Sequence, residues 1–583
     1  MWLLSHNKKH MFINNGLPCI KDATAGVARL CAALSWRLHH GEGATKKQWW
    51  FLRERARAAV ACEVLPSAER AFVNSLRYTL FEGVRQMHNS YKNLRRGWSN
   101  TAPAANHARQ WLYDNNWHVL QTDKDGGFCL IQIADYKHLL EEKLTAKCYR
   151  EVDPDVPCRD IVDTFSRMIH KWGKATNNKD EAKHITWRAR SVKPSKLKSQ
   201  ILSTIKTHKP PGEVAVRVLH SSVGNPFRAF NFVVGQVIRW RLNRLAHLCT
   251  STDQALNIIK NTVIRTTDRF VRMDIKDFYM MGKHGLLANL ASKAWPAKMR
   301  AEIESQIEFC LSNQFVESPH LPGRAWQVQE GSGMGSICSG ELSDWAFFQL
   351  AEEAWATNRK VMHDHTVRLY LRYRDDIFII VGEGWTEWYN YCKRFMQLAK
   401  MAYELKIESI DGDGCNFLDV QLFKLPSNGE FTRIGFKPFF KTSEQHMPLL
   451  PSSAHCAAIH SSWPIAEVQR LRRRSGCAAE FENAKAFIVQ KFRNAGIDDE
   501  VCAVASSQPY RQPFKPKSRQ VCAKSWLVLP YHPAWKRNGL VAKARALIKM
   551  WVPEIPALAN FDVGVAWSRQ GQNLSEAFQS TRF

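Results

Sequence analysis

The 583-residue chain has 15 cysteines but no CxxC pair, so no cysteine spacing nucleates a zinc knuckle or a redox dithiol. It has no uninterrupted run of about 18 apolar residues, which excludes an ordinary membrane-spanning helix. Between Met1 and Asn15 only a short apolar stretch precedes His6, Lys8 and Lys9, too little for the hydrophobic region of a signal peptide. Internal repeats, low-complexity segments and lipidation signals are also missing. Together these absences predict a soluble intracellular protein whose thiols are reduced and buried. Acid is scarce too: 54 Asp plus Glu stand against 82 Lys plus Arg.

What is present is basic and core-forming. A formal charge of +28 and a pI near 9.6 suit a polyanionic partner, with nucleic acid first. Hydrophobic residues at 45% and 21 tryptophans predict a substantial buried interior, and the length predicts about two to four packed units. The first 115 residues carry helical spacing, as in Trp49 to Ala61 and Glu69 to Met87. At Thr122 to Phe128 the run TDKDGGF turns into an apolar strand, Cys129 to Ile133. Residues 174–200, with Lys174, Lys179, Lys183, Lys193, Lys196 and Lys198, read as a polar loop, and 507–520, with Pro509, Pro513 and Pro516, as a linker.

The chemistry concentrates in VRLYLRYRDDIFIIV, Val367 to Val381. Val367, Leu369, Leu371 and Tyr373 alternate with Arg368, Tyr370, Arg372 and Arg374, and a second apolar strand follows at once. Two strands joined at Asp375 and Asp376 make a hairpin whose turn presents two carboxylates. A lone acidic pair is more often a solvated turn, so context decides. VRMDIKDFYMM supplies a third acid, Asp274, on a strand in which Val271, Met273 and Ile275 face the other way, and which we expect to end at the sheet edge. Carboxylates crowded together repel unless a divalent cation neutralises them, and hard oxygen donors suit Mg²⁺. Two such ions about 3.5–4 Å apart serve in-line phosphoryl transfer. Between the acids lies EGSGMGSICSGELSD, where Gly331, Gly333 and Gly335 allow close backbone approach and Ser336 to Leu350 continue as a helix. Acid, glycine loop and acid pair, in that order, form the palm arrangement of template-directed polymerases.

With these motifs the chain resembles the reverse transcriptases of Penelope-like retroelements, relatives of the telomerase catalytic subunit. The likeness begins near residue 110. TDKDGGF resembles the family's segment ahead of the fingers, and KTHKPPGEVAVRVLHSSVGNP, Lys206 to Pro226, its fingers motifs. DIKDFY, QEGSGMGS, RYRDD and NFLDV resemble its palm motifs in order. SSAHCAAIHSSWP, Ser452 to Pro464, and RLRRRS, Arg470 to Ser475, resemble its thumb. Val218 after Arg217, and Met334 after Gly333, stand where the family usually has proline.

The resemblance implies an α+β, right-hand architecture: a helical region at 1–115, fingers at 116–268, a palm with an antiparallel sheet at 269–425, and a helical thumb with a C-terminal segment at 426–583. It implies two Mg²⁺ ions, with Mn²⁺ as substitute, held by Asp274, Asp375 and Asp376. Lys209 and Arg217 would contact the triphosphate, and Gln329 and Gly331 would lie near the nucleotide. Tyr279, five positions after Asp274, would be an aromatic gate against the ribose 2′-OH. The implied partners are an RNA template, a DNA primer and deoxynucleoside triphosphates, in the nucleus. RLRRRS would be a basic thumb helix following phosphates, or an import signal. The tail from Leu527 to Phe578 resembles the close of the polymerase module, and Cys502 and Cys522 are too far apart for a knuckle, so a member without the GIY-YIG nuclease is expected. An intron-encoded maturase is disfavoured by the thumb segment, and a non-enzymatic RNA scaffold by the survival of all three acids.

Overall fold

A computed structural model describes residues 65–92, 102–123, 128–176, 178–206, 214–440, 448–451, 457–510, 523–530 and 539–568, with seven further positions between 24 and 38. The fold is mixed α+β, as the sequence predicts. No helix among the described residues is long and apolar enough to cross a membrane. The described residues fall into two compact units, one drawn from Leu120–Pro448 and Pro464–Arg511, the other from Met1–Val119, Leu449–Trp463 and Gln512–Phe583.

The larger unit is built on three sheets. Its strands begin with β1 (Trp117–Thr122), β2 (Phe128–Gln132), β3 (Tyr149–Val152), β4 (Lys198–Ile205) and β5 (Val216–Ser221). Next come β6 (Val263–Arg265), β7 (Arg269–Ile275), β8 (Phe315–Glu317) and β9 (Ala325–Val328). The hairpin β10 (Val367–Tyr373) and β11 (Asp376–Val381) precedes β12 (Leu405–Asp411), β13 (Gly414–Phe417), β14 (Val420–Lys424) and β15 (Phe431–Pro438).

The first sheet runs β2-β1-β4-β8-β9-β3, with β5 on the other edge of β4. The sequence KSQILSTI explains that position: Ser199, Ile201, Ser203 and Ile205 alternate inward at the strand period. The run 174–200 is not the loop that its lysines suggest. It holds the helix Lys179–Ser191, which buries Ala182, Ile185 and Ala189 on one face while the lysines stay outside. Three small or apolar residues at helical spacing were enough to order it.

The second sheet runs β10-β11-β7-β12, antiparallel throughout. Strand β7 is therefore interior, not marginal, and its Phe270, Val271, Met273 and Ile275 are all buried. Phe270, Leu371, Phe378 and Ile380 share one core with Phe417, Val420, Leu422 and Ile434 of the third sheet, β13-β14-β15-β6. The helix expected from Ser336 begins at Ser339, runs to Phe347 and continues as a π-helical stretch, Phe348–Ala356. Such stretches are rare and often mark functional sites.

In the smaller unit, β16 (Ala523–Pro530) and β17 (Phe561–Ser568) pair in parallel, with the helix Leu540–Trp551 between them in the chain. Parallel neighbours need such a crossover. Phe72, Leu76, Leu80 and Val84 of the helix Ser67–Lys92 pack with Leu540, Ala544 and Ile548. The segment Trp49 to Ala61 lies outside the described residues.

Candidate active site

The hairpin pairs Tyr373 with Asp376, so Arg374 and Asp375 alone make the turn. Arg374 adopts φ +56°, the left-handed conformation that two-residue hairpins use. Strand β11 then lies on β7 in a register that sets Asp376 directly opposite Asp274. Opposed residues in an antiparallel pair have Cα atoms about 4.5–5.5 Å apart. The Asp375 carbonyl accepts the Ile275 amide at 3.0 Å, which ties the turn to the end of β7. Asp274 and the adjacent pair Asp375 and Asp376, far apart in sequence, thus meet at one end of two neighbouring strands.

Burial raises the Asp274 carboxyl to about 6, with Asp375, Glu408 and Asp376 adding to the effect and Arg272 offsetting part of it. Glu408, on β12, escaped the sequence reading because only the sheet brings it to this end. It is ion-paired with Arg272. Among the described residues no three His, Cys, Asp or Glu side chains converge into a ready metal cage. The donor set still fits a hard divalent cation: every candidate atom is a carboxylate oxygen, and their mutual repulsion is what such an ion relieves.

Arg217 projects from β5 opposite Thr204 and pairs with Asp123 at 3.2 Å. Lys206 lies beside it, its ammonium pushed down by burial and by Arg217 and Lys143, with Asp277 and Asp123 acting the other way. Lys206 is a basic residue the sequence reading did not single out, although it opens the KTHKPPG run. Lys209 lies outside the described residues, as do 124–127 of TDKDGGF and 452–456 of the thumb motif.

The glycine loop rests on the backbone after β7. Ser332 and Gly333 donate to the Tyr279 carbonyl at 2.8 and 3.2 Å, and Gly331 donates to Gly282 at 2.8 Å. A Cβ on Gly331 would meet Met280 Cα at 2.5 Å, and φ is +85°, so only glycine fits. Gly335 lies against the His220 backbone in the same way, and the His220 amide donates to Met334 at 2.7 Å. The His220 ring contacts the Tyr149 hydroxyl at 2.8 Å, and burial lowers its pKa to about 4, so it is neutral. The Gln329 side chain donates to Gln327 and its backbone amide to Cys148. Tyr279 packs on Phe278 at 5.4 Å between ring centroids. Its hydroxyl is raised by burial and responds to Arg374, Asp344 and Asp375, which puts the ring next to the acid hairpin.

Two basic motifs take unexpected places. Arg372, which alternates with the apolar residues of β10, is completely buried, as is Tyr370. On the helix after β15, Arg470 pairs with Asp419 and Glu467, Arg474 with Asp419 and Asp253, and Arg473 with Asp253. Three of the four RLRRRS arginines therefore grip the NFLDV turn and its surroundings. The carboxylates that hold them come from residues 253, 419 and 467, and only Glu467 is near in sequence. Leu418 in that turn has φ +56°.

No protein-family model matches the chain, and no curated protein matches it. Among solved structures it is similar to apo telomerase from Candida tropicalis, with 10% identity over 85% of this chain and 90% of that one, at a TM-score of 0.41. It is also similar to telomerase from Candida albicans in complex with a fragment of telomeric RNA, with 8% identity over 91% and 84% and a TM-score of 0.39. A C-terminally truncated Candida tropicalis telomerase gives 11% identity over 71% and 95%, at 0.35.

Proposed function

We propose that this chain is an RNA-directed DNA polymerase of the Penelope-like retroelement kind, extending the 3′ end of a DNA primer on an RNA template with deoxynucleoside triphosphates, in the nucleus. The observation that carries the reading is the register that sets Asp376 opposite Asp274, with Asp375 hydrogen-bonded onto the same strand end. In this reading the fingers, 116–268, supply β1 to β5 of the first sheet, and β8 and β9 complete it from within the palm range. The acid-bearing sheet is the palm, 269–425, and the helices beyond it the thumb, 426–583.

Asp274, Asp375 and Asp376 would hold two Mg²⁺ ions, or Mn²⁺, which when bound activate the primer hydroxyl and stabilise charge on the transferring phosphate. The chain's own residues do the rest. Arg217 and Lys206 supply cationic donors for the triphosphate, and Lys209 completes that set by resemblance. The glycine loop, fixed to the Tyr279 carbonyl, offers a close flat seat for the base pair and sugar. The Tyr279 ring would act as the steric gate that rejects a ribose 2′-OH. Primer extension on a homopolymer RNA template with Mg²⁺ or Mn²⁺ tests the reading. Deoxynucleotide addition that disappears in Asp375→Asn is expected; no extension by the purified full chain with either metal would overturn it.

A further inference from the structure

Beneath the hairpin lies a second set of charges that the chemistry above does not use. Arg372 is 0% exposed, Glu352 0% and Asp344 3%. A guanidinium has five N–H donors, and here every one has an acceptor. Nε and Nη2 donate to the two Glu352 oxygens at 2.8 and 2.9 Å. Nη1 donates to Asp344 Oδ1 at 2.7 Å and to the Arg374 carbonyl at 2.9 Å, and Nη2 also reaches the Asp344 carbonyl at 3.2 Å. The Tyr370 hydroxyl donates to Glu352 at 2.7 Å. The other Asp344 oxygen takes the Arg374 guanidinium.

Stability alone does not explain this arrangement, because well-packed apolar residues of the same volume often do as well as a buried ion set. What the ions add is fixed geometry at two particular places. One is the turn itself, where Arg372 holds the carbonyl of left-handed Arg374, the residue before Asp375. The other is the glycine loop. Asp344 sits on the helix that follows it, and the hydroxyl of the adjacent Ser343 lies 3.0 Å from that of Ser332 in the loop. The path from loop to acids is thus continuous: Ser332, Ser343, Asp344, both arginines, then Asp375. Glu352 anchors Arg372 from below, whereas among the described residues Asp344 is the carboxylate that spans Arg372 and Arg374.

We propose that Asp344 is a positioning residue that fixes the spacing between the nucleotide seat and the metal-binding acids. The inference rests on the polymerase reading and touches no reacting atom directly. Displacement of about 1 Å at a reacting centre can cost on the order of 100-fold in rate.

The test compares Asp344→Asn with wild type in the full chain, reading kcat, deoxynucleotide KM, melting temperature, and Mn²⁺ binding without nucleotide by electron paramagnetic resonance. The expected result is a fall in kcat of about 10- to 100-fold, and Mn²⁺ binding weakened several-fold. Tyr370→Phe, which loses only the bond to Glu352, keeps kcat within about 3-fold. Wild-type kcat and Mn²⁺ affinity in Asp344→Asn, with only the melting temperature lowered, overturns the proposal. If Asp344→Asn does not fold, Arg374→Met removes the outer arm of the bridge and leaves the buried core: the same kcat loss is expected, and wild-type kcat there overturns it. Extension that survives in Asp375→Asn would instead sink the polymerase reading itself, so the two failures are separable.

Discussion

Two groups of carboxylates gather around the same hairpin, and their surroundings differ. Asp344 and Glu352, below it, meet one buried arginine, one half-exposed arginine and a tyrosine hydroxyl. Burial alone would raise Glu352, but Arg372 and His247 outweigh it and hold the carboxyl far below its usual range. Asp274 is raised to about 6 by burial and then by Asp375, Glu408 and Asp376, with Arg272 acting the other way. A cluster that satisfies its own charge builds structure. In the proposed reading, repulsion of the kind that Asp274 feels is what a cation from outside would relieve.

The comparison breaks most sharply at the upper cluster. Asp375→Asn should lower nucleotide addition by a factor on the order of 10³ or more, since the metal-dependent stabilisation disappears. It should leave the metal-free melting temperature unchanged or higher, because one source of repulsion is gone. A variant that loses activity and also melts well below wild type would show that the upper acids are structural like the lower ones.

The lower cluster should behave the other way. Arg372→Met strands two buried carboxylates, and breaking such a set by removing one partner costs about 3–5 kcal/mol. Urea unfolding measures that loss, and adding Glu352→Gln should recover part of it by removing an orphaned charge. Recovery would separate the cost of the orphan from the worth of the pair; an unfolding midpoint unmoved by Arg372→Met would show that the network carries no stability.

Acid should sharpen the contrast. Burial holds His220 and His284 at about 4, below the ordinary value of 6.5. The unfolded chain therefore binds more protons between pH 6.5 and 4, and the neutral-ring stabilisation is complete above 6.5 and lost as pH falls toward 4. Each ring contributes up to about 1.4 kcal/mol per pH unit in that window. Asp274 has the opposite sign: its raised carboxyl takes a proton more readily folded than unfolded, so acidification below about 6 relieves the crowding. Asp274→Asn should melt higher than wild type at pH 7, with the gap narrowing as pH falls from about 6 toward 4. A gap that widens on acidification would contradict the crowding.

Legibility in the sequence follows the same division. The upper acids, the hairpin and the glycine loop could be read because each is local: alternation into an acidic turn, or glycines where a Cβ cannot fit. Glu408 could not, since it becomes a neighbour only through the pairing of β12 with β7. The burial of Arg372 could not be read either, because alternation along β10 says nothing about a π-helical stretch carrying Glu352 beneath it. The ion pairs of the thumb arginines were hidden for the same reason, as Asp253 and Asp419 are distant in sequence. The helix Lys179–Ser191 was hidden by lysines whose apolar face is only three or four residues deep. The core joining Leu34, Leu80, Leu527 and Val563 has no local signature at all.

Tyr279 stands where the two clusters meet, and the smallest effect is expected there. Its ring responds to Asp375 from the upper group and to Arg374 and Asp344 from the lower one, while its backbone carries the glycine loop. Tyr279→Val removes the ring but keeps the carbonyl that Ser332 and Gly333 require, so the loop and both charge clusters should persist. Discrimination against ribonucleotides should then fall by about 10- to 100-fold, because a missing steric clash changes which sugar fits and not how the phosphate reacts. Deoxynucleotide kcat should stay within a few-fold of wild type. Competing ribo- and deoxynucleotides on one RNA template, read as the ratio of kcat/KM values, decides the matter. An unchanged ratio with normal kcat would place the gate on another side chain. A collapse of kcat for both sugars would mean that the ring braces the acid hairpin, which would make Tyr279 part of the structural cluster instead of the sugar pocket.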